Sequence, residues 1–167
     1  METKSLSRSE REAKIKDKAG FVIVFLAALL AINTLFGGQN SSVVMNNTIS
    51  ANNQWSWYQA KNIRQVLYET AALQAQDKQV KQELSKEADR MEHDKQQIME
   101  KAIILEAQRD AARKKSPWFT WGGSILQISI VLLTASILAV SMPMFWISII
   151  IGSIGGLFVT QAMWMWL

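Results

Sequence analysis

The distribution of charge along the chain constrains its fold more than any other feature. All 18 Lys and Arg residues and all 14 Asp and Glu residues precede residue 116, so residues 116–167 carry no charge. A soluble domain cannot easily cover such a stretch with polar surface, whereas a membrane helix needs roughly 17 to 25 apolar residues. The last third of the chain is therefore predicted to lie in lipid.

Three transmembrane helices are predicted. Residues 19–36 form a separate uncharged block of membrane-spanning length, which is predicted as transmembrane helix 1. A Ser-Pro pair at residues 116–117 indicates a helix start, so transmembrane helix 2 is predicted over residues 116–142. Pro143 is predicted to make the turn before transmembrane helix 3, residues 144–167.

The segments on either side of helix 1 are polar. Residues 1–18 mix six basic with four acidic side chains, and are predicted as a basic surface segment, either a helix on the membrane or a disordered tail. Residues 37–53 are rich in Gly, Asn and Ser, which favour turns, so a linker is predicted there. Ser50 or Asn52 would then cap the following helix.

Residues 54–115 show the spacing of helices that pack along one face. One series with alternating steps of three and four is Ile63, Val66, Thr70, Leu73, Asp77, Val80 and Leu84. A second series is Leu84, Ala88, Met91, Lys95, Ile98, Ala102, Leu105, Arg109 and Ala112. Two such stripes predict a soluble coiled-coil hairpin, with its break between Ala75 and Ser85. The predicted fold is an all-α membrane protein with this long helical hairpin between its first and second transmembrane helices.

The positive-inside rule gives two conflicting orientations. Six basic residues precede helix 1 and none follow it closely, which favours a cytoplasmic N-terminus and a periplasmic hairpin. Five basic residues within residues 101–115 precede helix 2, which favours the reverse. Because the first helix usually dominates and long loops weigh little, we predict a multi-pass membrane protein with its N-terminus in the cytoplasm and its hairpin in the periplasm.

Few residues offer catalytic or ligand-binding chemistry. The chain has no Cys, and its one His, His93, has no second His that would raise its affinity for a metal. It contains no Gly-rich phosphate loop and no nucleophile elbow. Basic residues alternate with acidic ones, which is not typical of a nucleic-acid-binding surface. We therefore expect a protein that is not an enzyme, with no catalytic residues, no cofactor, no metal site and no nucleic-acid partner.

An aromatic cluster at the start of the hairpin is a candidate interaction site. The stretch "WSWYQAK" contains Trp55, Trp57, Tyr58, Gln59 and Lys61. On a helix its three aromatic residues do not share one face, so contact with two different surfaces is expected. Anchoring at the membrane interface and packing against the returning helix both remain open.

Small and polar residues in the predicted spans are candidates for helix packing. Ser148, Gly152, Gly156 and Thr160 recur at every fourth position, and such spacing lets another helix approach closely, within one chain or between chains. The most polar residues of the spans are Asn33, Gln127 and Gln161. Groups of this kind most often form hydrogen bonds between helices.

Three longer stretches together resemble a known family. They are "WSWYQAKNIRQVLYE", "DKQQIMEKAIILEAQRD" and "ILQISIVLLTASIL". They are similar to the bacterial membrane family catalogued as domain of unknown function 4337, over roughly residues 40–167. The resemblance implies one membrane helix, a charged helical hairpin and two C-terminal membrane helices, and it implies no known activity.

Features of interaction outnumber features of chemistry along the chain. We therefore expect a non-enzymatic membrane protein that acts through assembly, as a homo-oligomer or as an accessory or scaffolding subunit of a larger membrane complex. Its expected partners are membrane lipids and copies of itself or other membrane subunits. The alternative is a homo-oligomeric ion pathway or force transducer, in which Ser129, Thr134 or Ser136 would line a water-filled ring without charge.

Overall fold

The fold is built from three long helices. A computed structural model describes residues 8–165, except the side chains of Arg8, Arg11 and Lys14. The helices are α1 (Arg8–Gln74), α2 (Lys78–Leu138) and α3 (Met142–Trp164), and no strand occurs within residues 8–165. Each helix contains a stretch long and apolar enough to cross a membrane. The all-helical class is thereby confirmed, while residues 1–7 of the predicted surface segment lie outside the described part.

The three helices form two compact units. The terminal unit comprises residues 1–41 and 113–167, and the central unit comprises residues 42–112. Helices α1 and α2 contribute to both units, whereas α3 belongs to the terminal unit alone.

All three helices contribute to the core of the terminal unit. Its buried apolar residues are Ala19, Leu26, Leu126, Leu133, Phe145 and Val159. On α3 the buried residues include a series with alternating steps of four and three, namely Ser148, Gly152, Gly155, Val159 and Ala162. This spacing keeps one face of α3 against its neighbours along most of its length.

In the central unit α1 and α2 run antiparallel to each other. Asn47 hydrogen-bonds to Gln108, and further along α1 the side chain of Lys61 bonds to Asp94. All nine members of the second predicted series, from Leu84 to Ala112, are buried or half-buried. This face of α2 therefore packs within the unit over its whole predicted length.

The first predicted series faces outward on α1. Its members Ile63, Val66, Thr70 and Leu73 are exposed. The buried or half-buried residues of α1 in this unit include Ala51, Trp55, Tyr58, Lys61, Gln65, Tyr68 and Ala72. Both faces of α1 have residues in steps of three and four, so the period predicts a helix without showing which face packs against α2.

The predicted linker over residues 37–53 is helical, because α1 continues without interruption from Arg8 to Gln74. Neither Ser50 nor Asn52 begins a new helix. The Gly, Asn and Ser residues of this segment have low intrinsic helix propensity, which tertiary contacts override. Two such contacts are the close approach of Gly37 to Phe119 and a hydrogen bond of 3.0 Å from Asn40 Nδ2 to Ser116 Oγ.

Helix α2 also continues through a predicted boundary, since the Ser-Pro pair at residues 116–117 lies inside it. The helix begins instead at Lys78, after a short break at residues 75–77. The Asp77 carboxylate accepts hydrogen bonds from the backbone N–H groups of Gln79 and Val80, at 2.7 and 3.3 Å. Asp77 therefore caps the new helix.

The turn between α2 and α3 lies three residues before its predicted position. It is formed by residues 139–141, where Val140 adopts the left-handed conformation with φ of 47°. Pro143 lies in the first turn of α3. Its missing N–H costs little there, because the first N–H groups of a helix have no partner within the helix.

Candidate interaction surfaces

Helices α2 and α3 approach each other through small residues that alternate between the two sides. A Cβ added at Gly122 would lie 3.1 Å from Val159 Cγ2, and one added at Gly155 would lie 3.0 Å from Leu126 Cγ and 3.1 Å from the Leu126 backbone nitrogen. A larger residue on one helix thus faces a glycine on the other. The two backbones come close because each glycine leaves this space open.

The predicted stripe on α3 is buried at two of its four residues and half-buried at the other two. Ser148 and Gly152 are buried, and Ser129 Oγ donates a hydrogen bond of 2.6 Å to the Ser148 carbonyl. A Cβ at Gly152 would lie 2.7 Å from Ser129 Oγ. Gly156 and Thr160 are only half-buried.

The predicted stripe places Gly156 in the contact between helices, but Gly155 occupies that position. A Cβ at Gly156 would meet only Leu29 Cδ1, at 4.0 Å, whereas Gly155 lies directly against Leu126. The packed face follows steps of four and three, whereas the prediction used steps of four. The adjacent glycines of "GSIGG" fit either spacing, so the sequence did not distinguish them.

Asn33 links α1 to α2 inside the terminal unit. The residue is 5% exposed, and its Nδ2 donates a hydrogen bond of 3.0 Å to the Phe119 carbonyl. This contact is of the kind expected for a polar residue in a membrane span. A cleft of about 180 Å³ lies beside it, lined by uncharged residues that include Gly37, Ser41, Ser116 and Thr120. Of the other two polar residues, Gln161 is buried and Gln127 is exposed.

Two of the three hydroxyl residues proposed to line an ion pathway are fully buried within the chain. Ser129 bonds to the Ser148 carbonyl, and Ser136 Oγ donates to the Leu133 carbonyl at 2.7 Å. Thr134 is exposed, and its hydroxyl donates to the Ile130 carbonyl. Only Thr134 therefore lies where a pore between copies would have its wall.

Part of the aromatic cluster packs between the helices of the central unit. Trp55 Nε1 donates a hydrogen bond of 3.2 Å to Glu106 Oε1 on α2. The rings of Trp55 and Tyr58 meet edge to face, with centroids 5.6 Å apart. The Lys95 ammonium lies 5.6 Å from the centre of the Tyr58 ring, within the range of a cation–π interaction.

Lys61, which belongs to the same predicted cluster, forms an ion pair with Asp94. Its Nζ lies 2.6 Å from Asp94 Oδ2, and both side chains are partly buried. The hydrogen bond from Lys61 is the main reason that the pKa of the Asp94 carboxyl is lowered from its ordinary value. This pair joins α1 to α2 directly.

Lys95 occupies one of the two polar positions in the packed face of α2. Its Nζ donates to Gln65 Oε1 at 2.9 Å and to Asn62 Oδ1 at 3.2 Å on α1, and it lies 2.7 Å from Glu92 Oε2. The Glu92 carboxylate raises the pKa of Lys95, and Lys95 lowers the pKa of Glu92 in return. A polar residue with partners on the facing helix favours one register of packing over others.

The other polar position is Arg109, whose Nε donates to Asp110 Oδ1 at 2.8 Å. This hydrogen bond raises the pKa of the Arg109 guanidinium. Arg109 also lies 3.8 Å from Glu106, the partner of Trp55. Both polar residues in the packed face of α2 are therefore paired.

The remaining members of the aromatic cluster lie on a different face of α1. Trp57 is 59% exposed, and Gln59 is exposed as well. His93, the residue considered for a metal, is exposed on α2, and the described residues contain no group of three His, Cys, Asp or Glu that could hold one. Among the residues described, the contacts of the predicted cluster divide between packing and open surface.

The fold and these surfaces define an all-helical protein with three helices that are each apolar enough to cross a membrane. The chain belongs to the family described as domain of unknown function (DUF4337), whose model matches residues 15–165. The resemblance in the sequence is therefore confirmed, and the match begins earlier than residue 40. No curated protein and no solved structure matches the chain significantly.

Proposed function

We propose that this protein is a non-enzymatic, multi-pass membrane protein that acts through assembly, as a homo-oligomer or as an accessory subunit of a larger membrane complex. The observation that carries this proposal is an asymmetry between the two helices of the central unit. Between residues 42 and 74, α1 has only three charged residues, Lys61, Arg64 and Glu69, whereas residues 78–112 of α2 have fifteen. Because of these charges, the outward face of α2 is suited to contact with water.

The outward face of α1 has a different character. Met45, Ile63, Leu67 and Leu73 are each between 64% and 80% exposed. Apolar side chains concentrated on one side of a unit mark a surface that another molecule covers. A surface of this kind favours a role in assembly over a catalytic role.

The surface of the terminal unit supports the membrane location. Its outward side chains include the large apolar residues Phe21, Val24, Leu138 and Leu157, and the exposed Trp121, Trp146 and Trp164. Lipid tails are suitable neighbours for the first group, and tryptophan is typical of membrane–water interfaces. We place the protein in the bacterial inner membrane, with its N-terminus in the cytoplasm and the residues of the central unit in the periplasm.

Co-purification from native membranes tests the proposal. Two copies of the full chain with different tags are expressed together, extracted gently, and captured through one tag. Recovery of the second tag, or of a foreign subunit in fixed ratio that is absent when an untagged chain is used, is the expected result. Recovery of the captured chain alone would contradict the proposal.

An ion-flux assay separates assembly from conduction. The purified protein is placed in liposomes with an internal ion-sensitive dye, and dye response is compared with that of empty liposomes. A protein that acts only through assembly gives no flux above the empty control. Flux that a Thr134→Leu substitution abolishes would instead favour the ion pathway, because Thr134 is the exposed member of its proposed lining.

A further inference from the structure

A second regular stripe runs along α1 in the central unit, on residues that do not pack against α2. We call it the outer stripe, and it consists of Met45, Ile49, Asn52, Ser56, Gln59, Ile63, Val66, Thr70 and Leu73. Its positions alternate in steps of four and three over four heptads. Every member is exposed and none is charged. It includes Gln59, which points away from α2.

The spacing of the outer stripe is that of a helix that packs against another helix. Alternating steps of three and four over at least three or four heptads are the signature of a coiled-coil seam. At about 1.5 Å per residue, the stripe is roughly 42 Å long. The opposite face of α1 also has residues in steps of three and four, and that face packs against α2.

The polar members of the outer stripe are compatible with burial. Ser56 Oγ donates to the Asn52 carbonyl and Thr70 Oγ1 donates to the Val66 carbonyl, so both hydroxyl protons are already engaged within the helix. This reduces the cost of removing them from water. The two remaining polar side chains, Asn52 and Gln59, carry amides that both donate and accept hydrogen bonds.

The outward face of α2 lacks this pattern. The exposed positions that share the spacing of its exposed Ile104 are Lys86, Arg90, His93, Gln97, Glu100, Ala107 and Ala111. Three of these seven are charged, so a covering helix would have to remove their charges from water at a cost. The absence of charge therefore distinguishes the outer stripe from an equally regular face of the same unit.

We infer that the outer stripe binds the outer stripe of a second copy of this chain, with the two α1 helices parallel. The inference rests on the proposed function, because it names the partner through which the protein assembles. Copies inserted in one membrane share an orientation, so helices related by an axis perpendicular to the membrane are parallel. Each residue of the stripe then lies beside its own counterpart.

Self-pairing in this arrangement explains the composition of the stripe. A charged residue would face an identical charge, and the stripe contains none. Asn52 and Gln59 would each meet their own counterpart, and an amide can donate to and accept from an identical amide. A partner of different sequence would not require residues that are compatible with themselves.

Cysteine cross-linking tests the inference directly, because the full chain has no Cys that must first be removed. Single variants Ile63→Cys, Val66→Cys and Thr70→Cys are oxidised mildly in native membranes. A disulfide forms only when the two Cα atoms lie within about 7 Å, which counterparts in a parallel seam satisfy. We expect a cross-linked dimer at all three positions. The matched controls, Ala60→Cys and Arg64→Cys, are exposed on α1 off the stripe and should give little dimer.

Native mass of the same variants separates the possible failures. Equal cross-linking at Ala60 and Arg64 would show random collision and overturn the inference. Absence of dimer at the stripe, with a native mass still above that of one chain, would overturn the inference and leave assembly intact. A native mass of one chain alone would overturn both the inference and the proposed function.

Charge substitution provides a second test that does not depend on oxidation. The double variant Ile63→Glu with Val66→Glu should lower the native mass, since it places like charges against each other in the paired stripes. Ile103→Glu with Ile104→Glu alters two residues of α2 with 52% and 51% exposure, comparable to that of Val66, and should leave the mass unchanged. An unchanged mass for the first variant, or equal loss for both, would contradict the inference.

Discussion

The terminal unit and the central unit are held together by different kinds of contact. In the terminal unit the contacts between helices include close approaches at Gly122, Gly152 and Gly155, with hydrogen bonds from uncharged groups such as Asn33 and Ser129. In the central unit α1 is joined to α2 by contacts that include ionised side chains, among them the pairs of Lys61 with Asp94 and Trp55 with Glu106. Packing in the terminal unit therefore depends on complementary shape, whereas packing in the central unit depends more on charged side chains.

The difference agrees with the surroundings proposed for each unit. Lipid is as apolar as a leucine side chain, so burial of apolar surface gives little driving force between membrane helices and fit must supply the attraction. In water, burial of apolar surface and polar pairing both contribute, and charged residues also keep the outer face soluble. A substitution that adds or removes as little as one methyl group should therefore change the stability of the terminal unit, whereas a change of pH should alter the stability of the central unit.

The largest effect is expected from a cavity in the core of the terminal unit. Leu126→Ala removes a fully buried side chain that fills the space beside Gly155. Leu→Ala substitutions in soluble cores cost about 2–5 kcal/mol, and we expect the lower end because the transfer contribution is weak in lipid or detergent. Unfolding in detergent measures the loss. Ile128→Ala is the control, since its side chain is exposed and its substitution should cost less than about 0.5 kcal/mol.

Two adjacent glycines of α3 differ in how closely they approach α2. Gly155→Ala should destabilise the protein by roughly 1–3 kcal/mol, because its Cβ would press on the Leu126 backbone, which cannot move without moving α2. Gly156→Ala should be neutral or stabilise by up to about 1 kcal/mol, since alanine favours helix and the space is open. The midpoint of thermal unfolding compares the two. Equal loss in both variants would mean that α3 does not pack as described.

The smallest effect concerns the response of the central unit to acid. Because the folded-state pKa of Asp94 is lowered by Lys61, the ion pair stabilises the fold above the ordinary pKa of 3.8, and this stabilisation is lost as pH falls through the folded value. Asp94→Asn should therefore lower the unfolding midpoint at pH 6, and the difference from the unsubstituted protein should shrink as the pH falls below 3.8.

Asp89→Asn, on an exposed residue of the same helix, is the matched control for this response and should have little effect at either pH. A difference for Asp94→Asn that is constant from pH 6 to acid would show that the carboxylate charge does not contribute.

Some of these contacts could be predicted from the sequence, and others could not. The packed face of α2 was predictable in full, including Lys95 and Arg109, because a regular apolar period contained polar residues at inner positions. On α1 two faces have that period, and only the fold shows which of them meets α2. The sequence therefore predicted an inner role for Ile63 and Val66, which are exposed.

The errors at helix boundaries have a common cause. Residues 37–53 and the proline at position 117 oppose helix formation locally, yet both lie inside long helices. Local propensity costs about 1 kcal/mol or less per ordinary residue and about 3 kcal/mol for a proline inside a helix, and contacts with a neighbouring helix outweigh these costs. The choice between Gly155 and Gly156 likewise depends on the register of α3 against α2, which no local pattern specifies.

Whether the protein acts through assembly can be read from the native mass of its particle. The full chain is extracted gently from its own membrane, and the mass and composition of the particle are determined together. Assembly predicts a mass of two or more times 18.9 kDa, or a particle with a foreign subunit in fixed ratio, and pairing through the outer stripe requires at least two copies of the chain. A particle that contains one 18.9 kDa chain and no other protein would contradict it.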